Sequence, residues 1–218
     1  MGPPFNSIKA VIFDVDGTLY DQKKMRLKML WEMGKSTLIN FKTIKELLIV
    51  WKYRRFREEN LTNAVQQYRR TAQATRTDVE TVRQVVQDWL INRPLPYLAG
   101  CRYPGVLELF AFLRDEGVGI GVFSDYPARE KLAGLELQAD AIVWSAEETV
   151  NHYKPGPEGL VETARRLEIP VENCLFIGDR DDLDGECARR AGMPYLILDR
   201  KKDFMEQVAV FFPKLREK

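Results

Sequence analysis

The pattern of apolar and polar residues changes twice along this chain. Residues 9–15, KAVIFDV, contain one short apolar run of the kind that forms a buried strand. From about residue 21 to residue 90 the sequence is polar and helical in period. Beyond a connector rich in Pro and Gly at residues 92–105, short apolar runs alternate with amphipathic stretches. The chain therefore divides into a helical segment and a part in which strands and helices alternate.

The alternating part predicts a parallel sheet between layers of helices. Its predicted strands cover residues 118–125, 141–145, 173–179 and 194–199, and its predicted helices cover 104–117, 127–135, 155–168, 183–192 and 202–212. We therefore expect an α/β fold with a Rossmann-like parallel sheet and an inserted α-helical cap domain. The predicted domains are a core of residues 1–20 and 100–218, and a cap of residues 21–99.

Two segments of the cap have clear helical patterns. In residues 77–90, Thr77 and Glu80 have the spacing of a capping box, and five apolar residues follow one face: Val79, Val82, Val86, Trp89 and Leu90. In residues 41–56, the predicted apolar stripe consists of Phe41, Ile44, Leu47, Leu48 and Trp51. Both segments are predicted to pack these faces inward.

Acidic and polar residues follow the predicted strands at the points where they end. Ligands of open α/β sheets bind at the carboxyl ends of the strands, so we expect these residues to share one edge. The set consists of Asp14 and Asp16 after the first strand, Ser124 and Asp125 at the second, Lys154 in the loop before a helix, and Asp179 and Asp184 after the fourth. The carboxyl edge of the sheet is therefore the predicted site.

Four segments resemble, in order and spacing, the four motifs of the haloacid dehalogenase-type phosphohydrolases. They are DVDGTL (14–19), VFSD (122–125), YKPGPEGL (153–160) and IGDRDDLDGECARRAGM (177–193). The helical insertion lies where the phosphoglycolate phosphatase and β-phosphoglucomutase-like branch of that superfamily has its cap. The resemblance implies a phosphatase fold and phosphoryl-transfer chemistry.

The first motif suggests how the work is divided between two carboxylates. Asp14 is the predicted nucleophile, which forms an aspartyl-phosphate and splits one difficult displacement into two. Asp16 is predicted to act as general acid toward the leaving alkoxide and then as general base for water. Gly17 lets the chain turn, so that it and Thr18 approach the phosphate. The superfamily's roles, transferred to these positions, are the same.

A phosphate beside carboxylates requires positive charge, which Mg²⁺ supplies through oxygen ligands. Asp14 and Asp179 are the predicted carboxylate ligands, and the resemblance adds the backbone carbonyl of Asp16. Asp184 is expected to hold a metal-bound water or to orient Lys154. Lys154 is the predicted fixed cation on the transferring oxygens, and Ser124 the predicted hydroxyl donor.

Asp125 departs from the family pattern, in which Asn usually follows the Ser or Thr. A further acid near a phosphate is electrostatically unfavourable. We expect Asp125 to cap the helix that begins near Pro127, so that its charge faces backbone amides while it still lines the substrate site.

Composition indicates the cellular compartment and the partners of this protein. The chain has 218 residues, 45% of them hydrophobic and 30% charged, with a net charge of +1. It has three scattered Cys, no signal-peptide pattern and no run long enough to span a bilayer, which predicts a cytoplasmic protein. The expected partner is a small phosphorylated substrate, with no nucleic acid and no membrane span. A monomer or a dimer is expected.

Charge is distributed unevenly along the chain. Residues 23–83 contain fifteen Lys or Arg and six Asp or Glu, a net of +9, which leaves −8 for the remainder. A basic cap over an acidic core could attract an anionic leaving group, or it could be an ordinary solvated surface.

Three functions are compatible with these residues. The leading prediction is a Mg²⁺-dependent phosphatase acting on a small organic phosphomonoester. A phosphomutase of the β-phosphoglucomutase type shares every core motif and differs in returning the phosphoryl group to sugar. A non-catalytic phosphate-binding protein is disfavoured because no motif carboxylate is missing, and a haloacid dehalogenase is disfavoured because that chemistry lacks the second acid at position 16.

Overall fold

The computed structural model describes residues 8–39, 42–57, 59 and 63–216 of the chain. Its strands are β1 (Ala10–Phe13), β2 (Gly119–Ser124), β3 (Ala141–Trp144), β4 (Cys174–Gly178) and β5 (Tyr195–Ile197). Its α-helices are α1 (Gln22–Ile39), α2 (Lys42–Arg57), α3 (Ala64–Thr75), α4 (Val79–Val86), α5 (Val106–Asp115), α6 (Arg129–Gly134), α7 (Glu158–Arg166), α8 (Glu186–Ala191) and α9 (Phe204–Val208). Short π-helical turns at Gln87–Asn92 and Asp181–Gly185 extend α4 and precede α8.

The five strands form one parallel sheet in the order β3-β2-β1-β4-β5. The central strand β1 places Ile12 opposite Gly121 of β2 on one side and Phe176 of β4 on the other. From β1 the chain continues to β2 and β3 on one side of the sheet, and later to β4 and β5 on the other side. A crevice therefore opens at the carboxyl ends of β1 and β4. The predicted α/β class with a parallel sheet is confirmed.

Alternate residues of β1 pack against different helix layers, because successive side chains of a strand point to opposite faces. Val11 and Phe13 belong to the core cluster that includes α5, where the Phe13 ring stacks on Phe110 at 4.9 Å. Ala10 and Ile12 belong to a second cluster, which also contains residues of α7 and α8. The sheet is therefore covered by helices on both faces, which holds the strand ends rigidly.

The helices α1 to α4 follow β1 as one inserted helical unit. Inside it, Trp89 is buried and its indole N–H donates to Glu46 at 3.1 Å. Gln67 is fully buried between the unit and the core. Its side chain donates to the Tyr53 carbonyl at 2.7 Å and accepts from the Tyr153 hydroxyl at 2.7 Å. The inserted cap is thus present and contacts the core. The domain boundaries at residues 20 and 99 stay predictions.

The predicted apolar face of α2 is wrong. Ile44, Leu48 and Trp51 are about half exposed, while the buried residues of this helix are Thr43, Ile49, Val50, Tyr53 and Phe56. Phe41 lies outside the described residues. The helix carries apolar residues around most of its circumference, so the pattern alone does not select a face; packing against α3 and α4 selects the one that contains Tyr53.

The predicted capping box at Thr77 and Glu80 is also wrong by one residue. Asp78 is the N-cap of α4, and its carboxylate accepts the Thr81 backbone N–H at 2.8 Å and the Thr81 hydroxyl at 2.7 Å. Asp is as good an N-cap as Ser and better than Thr, so Asp78 displaces Thr77. Within the described ranges, no helix is long and apolar enough to cross a bilayer.

Candidate active site

The residues predicted from the strand ends meet at the carboxyl edge of the sheet. Asp14 follows β1, Ser124 ends β2, and Asp179 follows β4. All three line one open polar cavity of about 690 Å³, together with Asp16 and Lys154. The same cavity is lined by Asp125 and Asp184. Parallel strands of matching register bring these loops together from distant parts of the sequence, which run from residue 14 to residue 184.

Lys154 lies buried between two carboxylates. Its side-chain nitrogen is 2.5 Å from Asp14 Oδ1 and 2.8 Å from Asp184 Oδ1, and only 4% of the residue is exposed. Taking one ammonium and two carboxylates out of water is costly unless they compensate one another, as they do here. The two acids therefore depend on Lys154, the cation that they share.

The balance of these charges shifts the pKa of both Asp14 and Lys154. Burial raises the pKa of Asp14 to about 7; Lys154 opposes this rise and the Asp184 charge adds to it. Burial alone would lower the pKa of Lys154, but Asp14 and Asp184 hold it above its ordinary value. Lys154 is thus a fixed cation. Further positive charge near Asp14 would stabilise its carboxylate form.

Three carboxylates form a group with the chemistry of a cation site. Oxygens of Asp14, Asp179 and Asp184 lie within 4.8 Å of one another, and Asp14 and Asp184 are buried. Asp184 is oriented by the backbone N–H groups of Asp179 and Arg180, which donate to its Oδ2 at 3.1 and 3.0 Å. Hard oxygen donors at this spacing fit Mg²⁺. Arg200, from the loop after β5, forms an ion pair with Asp179.

Asp16 has a different environment from Asp14. Its two carboxylate oxygens lie 2.7 and 2.6 Å from the side-chain nitrogen of Lys131, and the Tyr20 hydroxyl donates to Oδ1. Burial would raise the pKa of Asp16, but Lys131 and the hydrogen bond from Tyr20 hold it below its ordinary value. Among the residues that the structure describes, the Asp16 carboxylate stands apart from the three-acid group; participation of its backbone carbonyl stays a prediction.

Lys131 is a site residue that sequence reasoning missed. It lies on α6, is buried, and has its side-chain nitrogen 5.6 Å from the centre of the Tyr126 ring. A signal was present, because Lys131 shares one helical face with the buried Ala128, Leu132 and Leu135. A lysine on the apolar stripe of a helix needs a buried acid, and Asp16 is that acid.

Gly17 and Thr18 shape the turn after the first strand. Gly17 has a φ of +101°, a conformation that favours glycine, and a Cβ there would lie 2.6 Å from the Arg200 side chain and 2.8 Å from the Asp179 carboxylate, so a larger residue would displace both. The Thr18 hydroxyl donates to Asp14 Oδ2 at 3.1 Å, while the Thr18 backbone N–H donates to Val15 at 3.3 Å. Thr18 thus orients Asp14. Their predicted contact with substrate stays a prediction.

Asp125 does not do what its sequence position suggested. The helix after it begins at Arg129 with Ala128 as N-cap, so the predicted capping role of Asp125 is wrong. Its Oδ1 accepts from the Ser145 hydroxyl at 2.7 Å and from the Lys154 backbone N–H at 3.1 Å, and Arg57 of α2 binds Oδ2. The inserted helical cap therefore neutralises this acid, since one guanidinium nitrogen of Arg57 reaches it and the amides of α6 do not.

Some basic residues of the cap line the polar cavity, and others do not. Arg54 and Arg57 of α2 line it, and so do Lys23 and Arg26 of α1. Arg55 instead lies near Glu59, at 3.6 Å, on the exposed surface. The cavity thus combines acids of the core with basic side chains from both the cap and the core, since Lys154, Arg180 and Arg200 line it as well.

Comparison with known proteins agrees with this geometry. The profile of the haloacid dehalogenase-like hydrolases matches residues 8–192. A glyceraldehyde 3-phosphate phosphatase from Methanopyrus kandleri is 28% identical over 206 residues, which cover 89% of this chain and 85% of that protein.

Solved structures share the fold at lower identity. The YfnB protein of Bacillus subtilis, solved bound to magnesium, has a TM-score of 0.68 at 16% identity, with 96% of this chain and 99% of that chain covered. A β-phosphoglucomutase from Clostridium difficile has a TM-score of 0.61 at 17% identity, with 97% and 100% covered. The resemblance predicted from the four motifs is confirmed.

The ion pair between Arg57 and Asp125 is expected to couple the cap to the core. A double-mutant cycle with Arg57→Met and Asp125→Asn, measured by urea unfolding, should give a coupling of about 1–3 kcal/mol. The side chains are only 12% and 14% exposed, so water screens the pair weakly. The control pair is Arg70 and Glu59, at 45% and 34% exposure, with Arg70→Met and Glu59→Gln. Its coupling should stay below about 1 kcal/mol; equal couplings would contradict the assignment.

Proposed function

Because the chain belongs to the haloacid dehalogenase-like hydrolase family, we propose that it is a Mg²⁺-dependent phosphatase that hydrolyses a small organic phosphomonoester through an aspartyl-phosphate on Asp14. That it is an enzyme of the phosphatase class follows from the family and from its phosphatase relatives. The proposal concerns the metal, the covalent intermediate, the substrate class and the residues that act.

One observation supports the proposal most strongly: Asp14, Lys154 and Asp184 form a buried group at the carboxyl end of β1. A structural ion pair needs no third charge and no cavity beside it. Here the group borders a polar cavity, and carboxylate oxygens of Asp14, Asp179 and Asp184 lie close enough together to bind one cation. That arrangement suits a carboxylate that must meet a phosphate.

In the first half-reaction, a carboxylate oxygen of Asp14 attacks phosphorus and the bond from phosphorus to the leaving oxygen breaks. Lys154 orients Asp14 and offsets negative charge on the transferring oxygens. Ser124, at the end of β2, provides a hydroxyl on the same cavity wall. Mg²⁺ held by Asp14, Asp179 and Asp184 would supply positive charge for the phosphate and the acids.

Asp16 transfers a proton in each of the two half-reactions. It first gives a proton to the leaving oxygen, and in the second half-reaction its carboxylate takes a proton from the water that attacks the aspartyl-phosphate. Phosphate then leaves and Asp14 is regenerated. In the structure Lys131 holds Asp16 as a carboxylate, which is the form needed for the second half. For the first half, we infer that Lys131 must release one of the two oxygens.

A phosphomutase uses the same core residues, so the cavity alone does not separate it from a phosphatase. The two differ in the acceptor, which is water for a phosphatase and a sugar hydroxyl for a mutase. The relative from Methanopyrus kandleri is named a phosphatase, which favours water as acceptor. A panel of phosphate esters, assayed for free phosphate with and without Mg²⁺ and for transfer to added sugar, distinguishes them.

Asp14→Asn is expected to fold but to lose phosphate release by a factor on the order of 10³ or more, because an amide cannot attack phosphorus. The measurement is Mg²⁺-dependent release of phosphate from the best ester of the panel. Asp21→Asn is the control, since Asp21 accepts the backbone N–H groups at the start of α1 and Asn caps equally well. Appreciable turnover by clean Asp14→Asn protein would refute the covalent route.

Asp179→Ala is expected to raise the Mg²⁺ concentration for half-maximal activity by about tenfold to a hundredfold. Its physical reason is the loss of one carboxylate from the three-acid group. Asp182→Ala is the matched control from the same loop, where the side chain is exposed and pairs with Arg180. An unchanged Mg²⁺ titration in Asp179→Ala, or full activity in excess chelator, would sink the metal assignment.

Asp16→Asn is expected to lower kcat/KM far more for an alkyl phosphate than for para-nitrophenyl phosphate. The alkoxide needs a proton as it leaves, with an effect of about 10²–10⁴, whereas nitrophenolate leaves without one. The parameter kcat/KM isolates the first half-reaction, so loss of the base role does not obscure the result. Asp21→Asn again serves as control, and equal losses for the two esters would count against Asp16 as the acid.

A further inference from the structure

A second cavity of about 220 Å³ adjoins the polar cavity on the cap side. Most of its wall comes from α1 and from the π-helical turn at Gln87–Asn92. Its apolar lining includes Met25, Met29, Leu30, Met33, Trp89 and Leu90. We call this space the apolar chamber.

The apolar chamber and the polar cavity meet at Asp16. Asp16, Arg54 and Tyr126 line both spaces, as do Gln22 and Arg26. A general acid must touch the leaving oxygen, so Asp16 marks where the phosphoryl group ends and the rest of the substrate begins. With phosphate on the Lys154 side, the carbon attached to the leaving oxygen points toward the apolar chamber.

We propose that the apolar chamber receives the leaving group, and that the substrate is the phosphomonoester of an apolar alcohol with an alkyl or aromatic body. This inference rests on the proposed phosphatase function. It differs from selection of an anionic leaving group by the basic cap, which the charge of residues 23–83 suggested.

The charges around the chamber are confined to its junction with the polar cavity. Asp16, Arg26 and Arg54 line both spaces, and Lys131, the other charged residue of the chamber lining, is paired with Asp16. The deeper wall carries sulfur and hydrocarbon, which offer an anionic group no counter-charge. Arg57, another cation of the cap, forms an ion pair with Asp125. An anionic body would therefore lose solvation against the methionine and Trp89 wall, which offers it no compensating charge.

Size and lining also suit an apolar body. A cavity of about 150 Å³ lined by aliphatic and aromatic residues accepts benzene, so this larger one holds a ring or a branched chain. Three methionines make an adaptable wall, because the thioether side chain repacks around different shapes. Leu30 is 61% exposed, which places it at the outer rim, where a longer chain would extend into solvent.

The test uses the intact wild-type enzyme with Mg²⁺ and a series of n-alkyl monophosphates from methyl to heptyl, with glycerol phosphate as the hydrophilic comparator. We expect kcat/KM to rise by about fourfold for each added methylene until the chamber is filled, which corresponds to about 0.8 kcal/mol per methylene. Glycerol phosphate should fall below propyl phosphate, which has the same number of carbons.

Variants locate the effect. Met33→Gln keeps the length of the side chain but makes a half-buried part of the wall polar, so the ratio of kcat/KM for heptyl over methyl phosphate should fall by about fourfold or more. The matched control is Met205→Gln, because Met205 is also half-buried but lies on α9, away from the chamber. Its ratio should equal that of the wild type.

The outcomes separate this inference from the proposed function. If no ester of the panel releases phosphate, the phosphatase proposal fails and this inference fails with it. If phosphate is released but kcat/KM is flat or falls with chain length, or glycerol phosphate is preferred, the apolar leaving group is refuted while the phosphatase stands. If the chain-length effect survives unchanged in Met33→Gln, the chamber is not where the leaving group binds.

Discussion

An ammonium group buried between two carboxylates is the interaction on which this structure depends. Lys154 is 2.5 Å from Asp14 and 2.8 Å from Asp184, and the three residues come from loops at the ends of different strands. Removing Lys154 would leave two buried carboxylates without compensation, at a cost of about 3–5 kcal/mol, whereas replacing one acid leaves a balanced pair. The same charges that position the acids for chemistry therefore also hold the strand-end loops together.

Three further acids at this edge are each paired with a cation from a different element. Lys131 of α6 holds Asp16, Arg57 of α2 holds Asp125, and Arg200 after β5 holds Asp179. As a result, two carboxylates only two positions apart have pKa values moved in opposite directions, upward for Asp14 and downward for Asp16. The opposite shifts reflect different surroundings: burial outweighs Lys154 at Asp14, whereas Lys131 and the Tyr20 hydrogen bond outweigh burial at Asp16.

The sequence predicted what is local and missed what depends on packing. Buried strands are short apolar runs, so the strand positions and the acids after them followed from the pattern alone. The partner of Asp16 did not, because Lys131 is remote in sequence from Asp16 and its contact exists only once α6 packs beside the sheet. The buried face of α2 was mispredicted for a related reason: Trp51 and Tyr53 are both apolar enough for the core, and only contact with α3 decides between them.

Asp125 shows how one departure from the family pattern is compensated elsewhere. An acid where Asn is usual would repel a phosphate, but Arg57 places a guanidinium on it and also lies 4.3 Å from the centre of the Tyr153 ring. Because Arg57 belongs to the cap and Asp125 to the phosphate side of the core, the charge of the site depends on the position of the cap. Under the proposed function, withdrawing Arg57 would leave the Asp125 carboxylate without this cation beside the phosphoryl group, so we infer that binding of phosphate and seating of the cap favour each other through thermodynamic linkage.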